Sequence, residues 1–194
     1  MVILNAVIHR KWHYAETWPE MEILISEALE NLESEGHVPY WSPGEDAWFM
    51  FSDRRHTDSD GPEAPNNFLR IAVNSTTGFG ALIWFATDGH KMSDSIRDQV
   101  WVSNNPNPPN FDPRVVSDPG EPRFHDRRSA LPVTRIRAAV EEFCRRGTGQ
   151  RPMCIEWTPG DLAGRRGDTP EPETLITQCE DPWCEIPDAG HPAH

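Results

Sequence analysis

The chain opens on an apolar run, Val2-Ile-Leu-Asn-Ala-Val-Ile8, that reads as a first strand and is followed by a polar link through Lys11 and Tyr14. Thr17-Trp-Pro-Glu20 then has the form of a capping box, in which a threonine and a glutamate three residues on satisfy free amides of the first turn. Met21, Leu24, Ile25, Ala28, Leu29 and Leu32 recur at helical spacing, and Gly36 suits a left-handed stop. Residues 18–35 are therefore predicted to form a helix with one buried stripe.

Three short runs of strand formers come next: Ala47–Ser52, Phe68–Val73 and Phe79–Ala86. Asn74-Ser-Thr-Thr-Gly78 has hairpin chemistry, whereas residues 53–66 form a polar acidic loop. A fourth run, Gln99–Ser103, precedes residues 104–122, where six prolines predict an extended loop, because proline has no donor for a sheet ladder. Pro132 opens a second predicted helix that carries Val133, Ile136, Val140 and Phe143 on its apolar face and stops at Gly147. Met153–Trp157 reads as the last strand. Runs joined by hairpin-scale links favour an α+β fold, a mainly antiparallel sheet of about five or six strands with two α-helices packed on it.

Alternation along the central runs leaves both sheet faces apolar. Phe49 and Phe51 oppose Trp48 and Met50, and Ala81, Ile83 and Phe85 oppose Leu82 and Trp84. A second cover is needed: one helix on each face, the proline loop, the tail, or a partner. Residues 1–157 read as one domain. Residues 158–194, with six prolines, two arginines and eight acids, read as an irregular acidic tail.

Charge narrows the function. The 194 residues carry 31 Asp and Glu against 18 Lys and Arg, a formal charge of −13. Such a chain is poorly suited to holding a nucleic-acid backbone on a broad basic surface, and its apolar runs fall well short of the roughly 20 residues that span a membrane. Four scattered cysteines make no disulfide framework. The opening run lacks the basic leader and cleavage site of a signal peptide, so a cytoplasmic protein with reduced thiols is expected.

The candidate chemistry is sparse. Cys179 and Cys184 with His191 and His194 offer zinc ligands, but the pairs lie six residues apart where a finger helix needs about twelve, so no metal and no cofactor is expected. Cys144 beside Arg145 and Arg146 has the surroundings of an activated thiol but sits near an apolar stripe, which favours a buried small residue. The sequence contains no Gly-x-Ser-x-Gly, no glycine-rich turn before a helix and no deaminase signature, and Gly147-Thr-Gly149 follows a helix instead of opening one, so no enzyme is expected. What remains is an acidic, aromatic-rich module that attracts a basic partner, or a generic acidic scaffold.

Residues 80–157 carry a more specific pattern. Gly80-Ala-Leu-Ile-Trp84 is followed by Val100-Trp-Val-Ser-Asn-Asn-Pro-Asn-Pro-Pro109 and Phe111-Asp-Pro-Arg-Val-Val-Ser-Asp-Pro-Gly120. Pro122, Ser129-Ala-Leu-Pro132, Glu141-Glu-Phe-Cys144 and Gly149-Gln-Arg-Pro-Met-Cys-Ile-Glu-Trp157 complete it. In order and spacing this resembles the first-numbered immunity-protein family of bacterial polymorphic toxin systems, in its actinobacterial form. The resemblance implies an inhibitor that binds a cognate toxin one to one, often a deaminase acting on nucleic acid, with no active site of its own. It also implies that carboxylates take the place of phosphates at the toxin's basic cleft. The expected contact residues are Asp53, Asp58, Asp60 and Glu63 in one loop, and Asp112, Asp118, Glu121 and Asp126 in the other. Trp48, Trp84, Trp101 and Trp157 match the family pattern and are expected in the core.

Overall fold

The computed structural model of the chain describes residues 2–36, 40–63, 67–86 and 100–169, the backbone alone at 61–63. Strand β1 (Ile3–Ile8) turns directly into β2 (Lys11–Ala15) through His9 and Arg10, whose φ angles are 51° and 60°. Two successive left-handed residues make the tight hairpin turn whose twist suits antiparallel strands. The stretch read as a polar link is thus an edge strand. Its turn uses His-Arg where Asn-Gly is the usual signal, and its side chains are mostly half-exposed, so neither turn chemistry nor alternation marked it.

Helix α1 (Trp18–Glu30) follows, and Glu20 accepts the amides of Glu16 and Thr17 as the capping pattern predicts. It ends at Asn31, short of the predicted residue 35, although Leu32 stays buried beyond its end. Strand β3 (Asp46–Ser52), a 3-10 turn (Asp58–Glu63), β4 (Asn67–Asn74), β5 (Phe79–Ala86) and β6 (Val100–Asn104) come next. Val116–Asp118 (β7) and Arg123–Phe124 (β8) form a small ribbon where only extended loop was expected. Pro113, Pro119 and Pro122 flank these pairs without entering them, so the ladder donors survive. Leu131–Pro132 (β9) leads into α2 (Val133–Arg146), which closes on Gly147 at φ 60°. Strand β10 (Glu156–Pro159) begins later than the predicted Met153, because Met153 and Cys154 donate their amides to Glu142 on α2 instead of to a strand.

The main sheet runs β10-β6-β5-β4-β3-β1-β2, with β9 paired to β5, and all its pairings are antiparallel. This is the expected α+β class with more strands than the sequence announced. Both helices pack on the same face. Leu4, Ala6, Ile8, Phe49, Phe51, Leu69, Ile71 and Leu82 from the sheet meet Leu24, Ile25, Ala28, Ile136, Val140 and Phe143 from the helices. The Phe51 and Phe143 rings lie 5.3 Å apart, and burying such a side chain stabilises by roughly 1.5–3 kcal/mol. Gly80 admits the close approach of β4, since a Cβ there would lie 2.7 Å from the Ala72 carbonyl.

The opposite face divides in two. At one end Val115 and Val116 of the proline-rich segment, together with Ala130, cover Ala72 and Ala81. At the other, Met50, Phe68, Ile83 and Val100 are buried beneath partly exposed Val7, Trp12, Trp48 and Phe85. The proline loop is thus one of the covers that the apolar alternation required.

Residues 158–169, assigned by composition to the tail, are tied to the body. Thr158 and Pro159 complete β10, Gly160 bridges to Arg166, and Gly167 donates to the Pro159 carbonyl at 2.7 Å. The buried Arg166 guanidinium reaches Asn104 at 2.9 Å, Asp168 at 2.8 Å and the Arg128 carbonyl at 3.1 Å. Cys179, Cys184, His191 and His194 lie outside the described residues.

Candidate partner-binding surfaces

The first acidic loop leaves β3 and runs across the face opposite the helices. Its backbone is held by Asn5, which accepts the His56 amide at 2.8 Å and donates to the Arg54 carbonyl at 3.1 Å. Tyr14 donates its hydroxyl to the His56 carbonyl. Asp58 accepts the Trp12 indole N–H at 2.8 Å, and Asp60 accepts the Thr57 amide at 2.9 Å. Asp53 is exposed and accepts the Ser52 hydroxyl at 3.4 Å. Glu63 ends the 3-10 turn, and its side chain lies outside the described residues. The loop also carries Arg54 and Arg55, and Arg55 pairs with Glu16 at the entrance to α1 at 3.0 Å.

Ser52, His56 and Asp60 stand in the order of an acyl-transfer triad. The imidazole Nε2 lies 2.9 Å from Ser52 Oγ, and Nδ1 lies 3.2 Å from Asp60. A working base needs its second nitrogen bonded to the carboxylate that orients it. Here Nδ1 makes no hydrogen bond, and His56 is 3% exposed. The ring serves to seat the loop.

The second acidic loop occupies the other end of the molecule. Asp112 accepts the Arg114 amide at 2.9 Å, and Asp118 accepts the amides of Gly120 and Glu121 at 2.9 and 3.2 Å. Glu121 pairs with Arg123 at 2.6 Å. Asp126 caps the 3-10 turn at Arg127–Ser129 and takes the Arg128 guanidinium, whose hydrogen bonds hold its carboxyl below the ordinary aspartate range. The two loops are separate. Each carboxylate whose side chain is described accepts a bond from a neighbour in its own loop or from a strand beneath it, which uses part of its accepting capacity and leaves its charge in place.

The four family-pattern tryptophans are partly buried. Trp84 and Trp157 pack against the main core, and their indoles donate to the Gly149 and Pro152 carbonyls. Trp101 pairs with Trp84 across β5 and β6, and the Arg151 guanidinium lies 3.9 Å from the Trp101 ring centre. Trp48 belongs to the opposite face, with Phe68 4.6 Å and the Arg70 guanidinium 5.1 Å away. Arg70 is itself held by Asp46. Cys144 is buried, and desolvation pushes its thiol up to about 12, which removes the thiolate a nucleophile requires.

A third surface escaped the loop-centred reading. Between residues 12 and 53 the sequence holds ten acids and neither Lys nor Arg, and seven of these acids fall in residues 16–35. At 100° per residue, Pro19, Ile23 and Glu30 run down the side of α1 opposite its buried stripe, flanked by Glu22 and by Glu20 and Glu27. Ile23 is 68% exposed, the one large hydrophobic so exposed on a helix or strand among the described residues. Beyond the helix, Tyr40 is 84% and Trp41 45% exposed, and Trp41 donates to Glu35 at 3.0 Å. The lone isoleucine off the stripe and the missing cations were the signals in the sequence.

Among the described residues, no group of three or more His, Cys, Asp or Glu is placed to hold a metal ion, and no helix is long and apolar enough to cross a membrane. No curated protein and no solved structure matches the chain. A family model does, over residues 13–159, from the hairpin strand β2 through both helices to the end of β10. With three-quarters of its length accounted for in this way, the chain belongs to the family described as immunity protein Imm1.

Proposed function

We propose that this protein is a non-catalytic inhibitor that neutralises a cognate toxin by binding it one to one and covering its active site or substrate cleft. The family membership carries this reading, since an immunity protein implies a toxin to be immune to. The toxin is a basic, nucleic-acid-directed enzyme of the deaminase type, and the complex forms in the cytoplasm of the producing cell. The net charge of −13 supports a basic partner, because opposite fields raise encounter rates and orient the approach.

In this reading Asp53, Asp58, Asp60 and Glu63, with Asp112, Asp118, Glu121 and Asp126, supply the steering field. Hydrogen bonds to the described carboxylates of this set fix them in place, so less freedom is lost on binding. A few apolar anchors then slow dissociation.

Co-expression with the toxin encoded beside this gene tests the reading. Growth is expected to be restored, and the two chains are expected to co-elute in equal amounts. Persistent toxicity with ample soluble protein and no complex would reject it. Several weak partners would instead identify an acidic scaffold.

A further inference from the structure

We propose that the outer face of α1, centred on Ile23, is the main docking surface for the toxin, and that it receives a basic rim around an apolar depression. This rests on the inhibitor reading and adds the place of contact. Three observations converge on it.

First, nothing among the described residues accounts for the position of Ile23. Every other large aliphatic residue of α1 lies on the buried stripe, whereas Ile23 projects from the opposite side, next to exposed Pro19 one turn earlier. A β-branched residue has a lower helix propensity than the straight-chain residues that usually fill solvent-facing positions. An exposed apolar side chain ringed by charge has the form of an interface anchor.

Second, α1 carries four glutamates and no cation of its own. Its last turn holds no basic residue, although cations there would complement the negative end of the helix dipole. Helix α2 obeys the rule with Arg145 and Arg146. Around Ile23, Glu30 meets Arg137 at 2.7 Å, Glu20 is bound to backbone amides, and Glu22 forms no ion pair among the described residues. Glu27 meets His9 at 3.3 Å, so Glu22 beside Ile23 is the carboxylate left for an arriving Lys- or Arg-lined surface, which supplies the charge complementarity.

Third, α1 joins the two acidic loops. Arg55 of the first loop is neutralised by Glu16 at the start of the helix, and Arg114 of the second by Glu35 beyond its end. One arginine of each loop is thus drawn onto an acid that flanks α1. Glu20 accepts the Glu16 amide on the side of the first loop, and Glu35 accepts the indole N–H of exposed Trp41 at 3.0 Å on the side of the second.

The test uses the full-length chain and the toxin domain encoded beside it. Three variants are compared with the unaltered protein: Ile23→Arg, Glu22→Lys and, as a control on strand β10 at the far edge of the sheet, Glu156→Lys. All three positions are exposed, so thermal unfolding midpoints are expected to stay unchanged, which is checked first. The proposal predicts that Ile23→Arg weakens binding at least a hundredfold. Glu22→Lys is expected to slow association about tenfold at low salt and to flatten its salt dependence, while Glu156→Lys changes affinity less than threefold. Binding by Ile23→Arg within threefold of the unaltered chain would overturn the surface and leave the inhibitor reading standing. Absence of binding by the unaltered chain would overturn both.

Discussion

Trp12 of the edge strand donates its indole N–H to Asp58 at 2.8 Å across 46 residues of sequence. One hydrogen bond therefore ties the first acidic loop to the margin of the sheet, and it separates two roles of a single carboxylate. Asp58→Asn keeps an acceptor for the indole and removes the charge, whereas Asp58→Ala removes both. An exposed hydrogen bond is worth about 0.5–1.5 kcal/mol net, so the alanine variant is expected to lower the thermal midpoint by roughly 2–4 °C. The asparagine variant is expected to stay within about 1 °C by the same conversion, and to lose only part of its association rate with the toxin. Calorimetry and stopped-flow association measure the two effects separately.

Arg166 is the pin of the segment after β10. Its buried guanidinium bonds to Asn104, to the Arg128 carbonyl and to Asp168, and it lies beside the Ser129 hydroxyl. Removing it takes the donor from three part-buried acceptors, at about 0.5–1.5 kcal/mol for each hydrogen bond lost. Arg166→Met is expected to release residues 160–169 into fast amide hydrogen exchange. Protection of α1 and of the central strands should remain. Loss of protection across the whole chain would show that the segment is an integral part of the core.

His125 is wholly buried beside Gly164 and near Arg70, and desolvation pushes its pKa down to about 3. The unfolded chain takes a proton there near pH 6.5, whereas the folded chain does not, so stability is complete above that pH and is lost as pH falls toward 3. Asp126 and Asp168 have depressed values through Arg128 and Arg166, and add a loss of the same sign as pH falls through the ordinary aspartate range toward their lowered values. Between pH 6 and 4.5 the unaltered protein is therefore expected to lose about 2 kcal/mol more than His125→Gln, at about 1.4 kcal/mol per pH unit. Urea unfolding at several pH values measures the two slopes. Equal slopes would contradict the account.

Elements with strong local signals were legible in the sequence. The stripe from Met21 to Leu32 with the Thr17–Glu20 cap announced α1, and the Phe79–Ala86 run announced β5 to the residue. Strand β2 was not legible, because the His9-Arg10 turn depends on backbone angles that these residue types seldom adopt. Residues 158–169 were not either: Arg166 reads as surface charge, and its burial depends on acceptors 62 and 38 residues away. Acid counts located the loops but gave no information about which carboxylates their own turns engage. They also passed over α1, because its glutamates are the ordinary polar complement of an amphipathic helix. Only Ile23, which breaks the pattern, distinguishes that face.

The central claim, stoichiometric neutralisation of a toxin, is tested most directly by titrating the purified cognate toxin with this protein while following the toxin's own reaction. The account predicts a linear fall to zero activity with its end point at one equivalent, reached without any added cofactor. Toxin activity that survives a tenfold excess of correctly folded protein would contradict it.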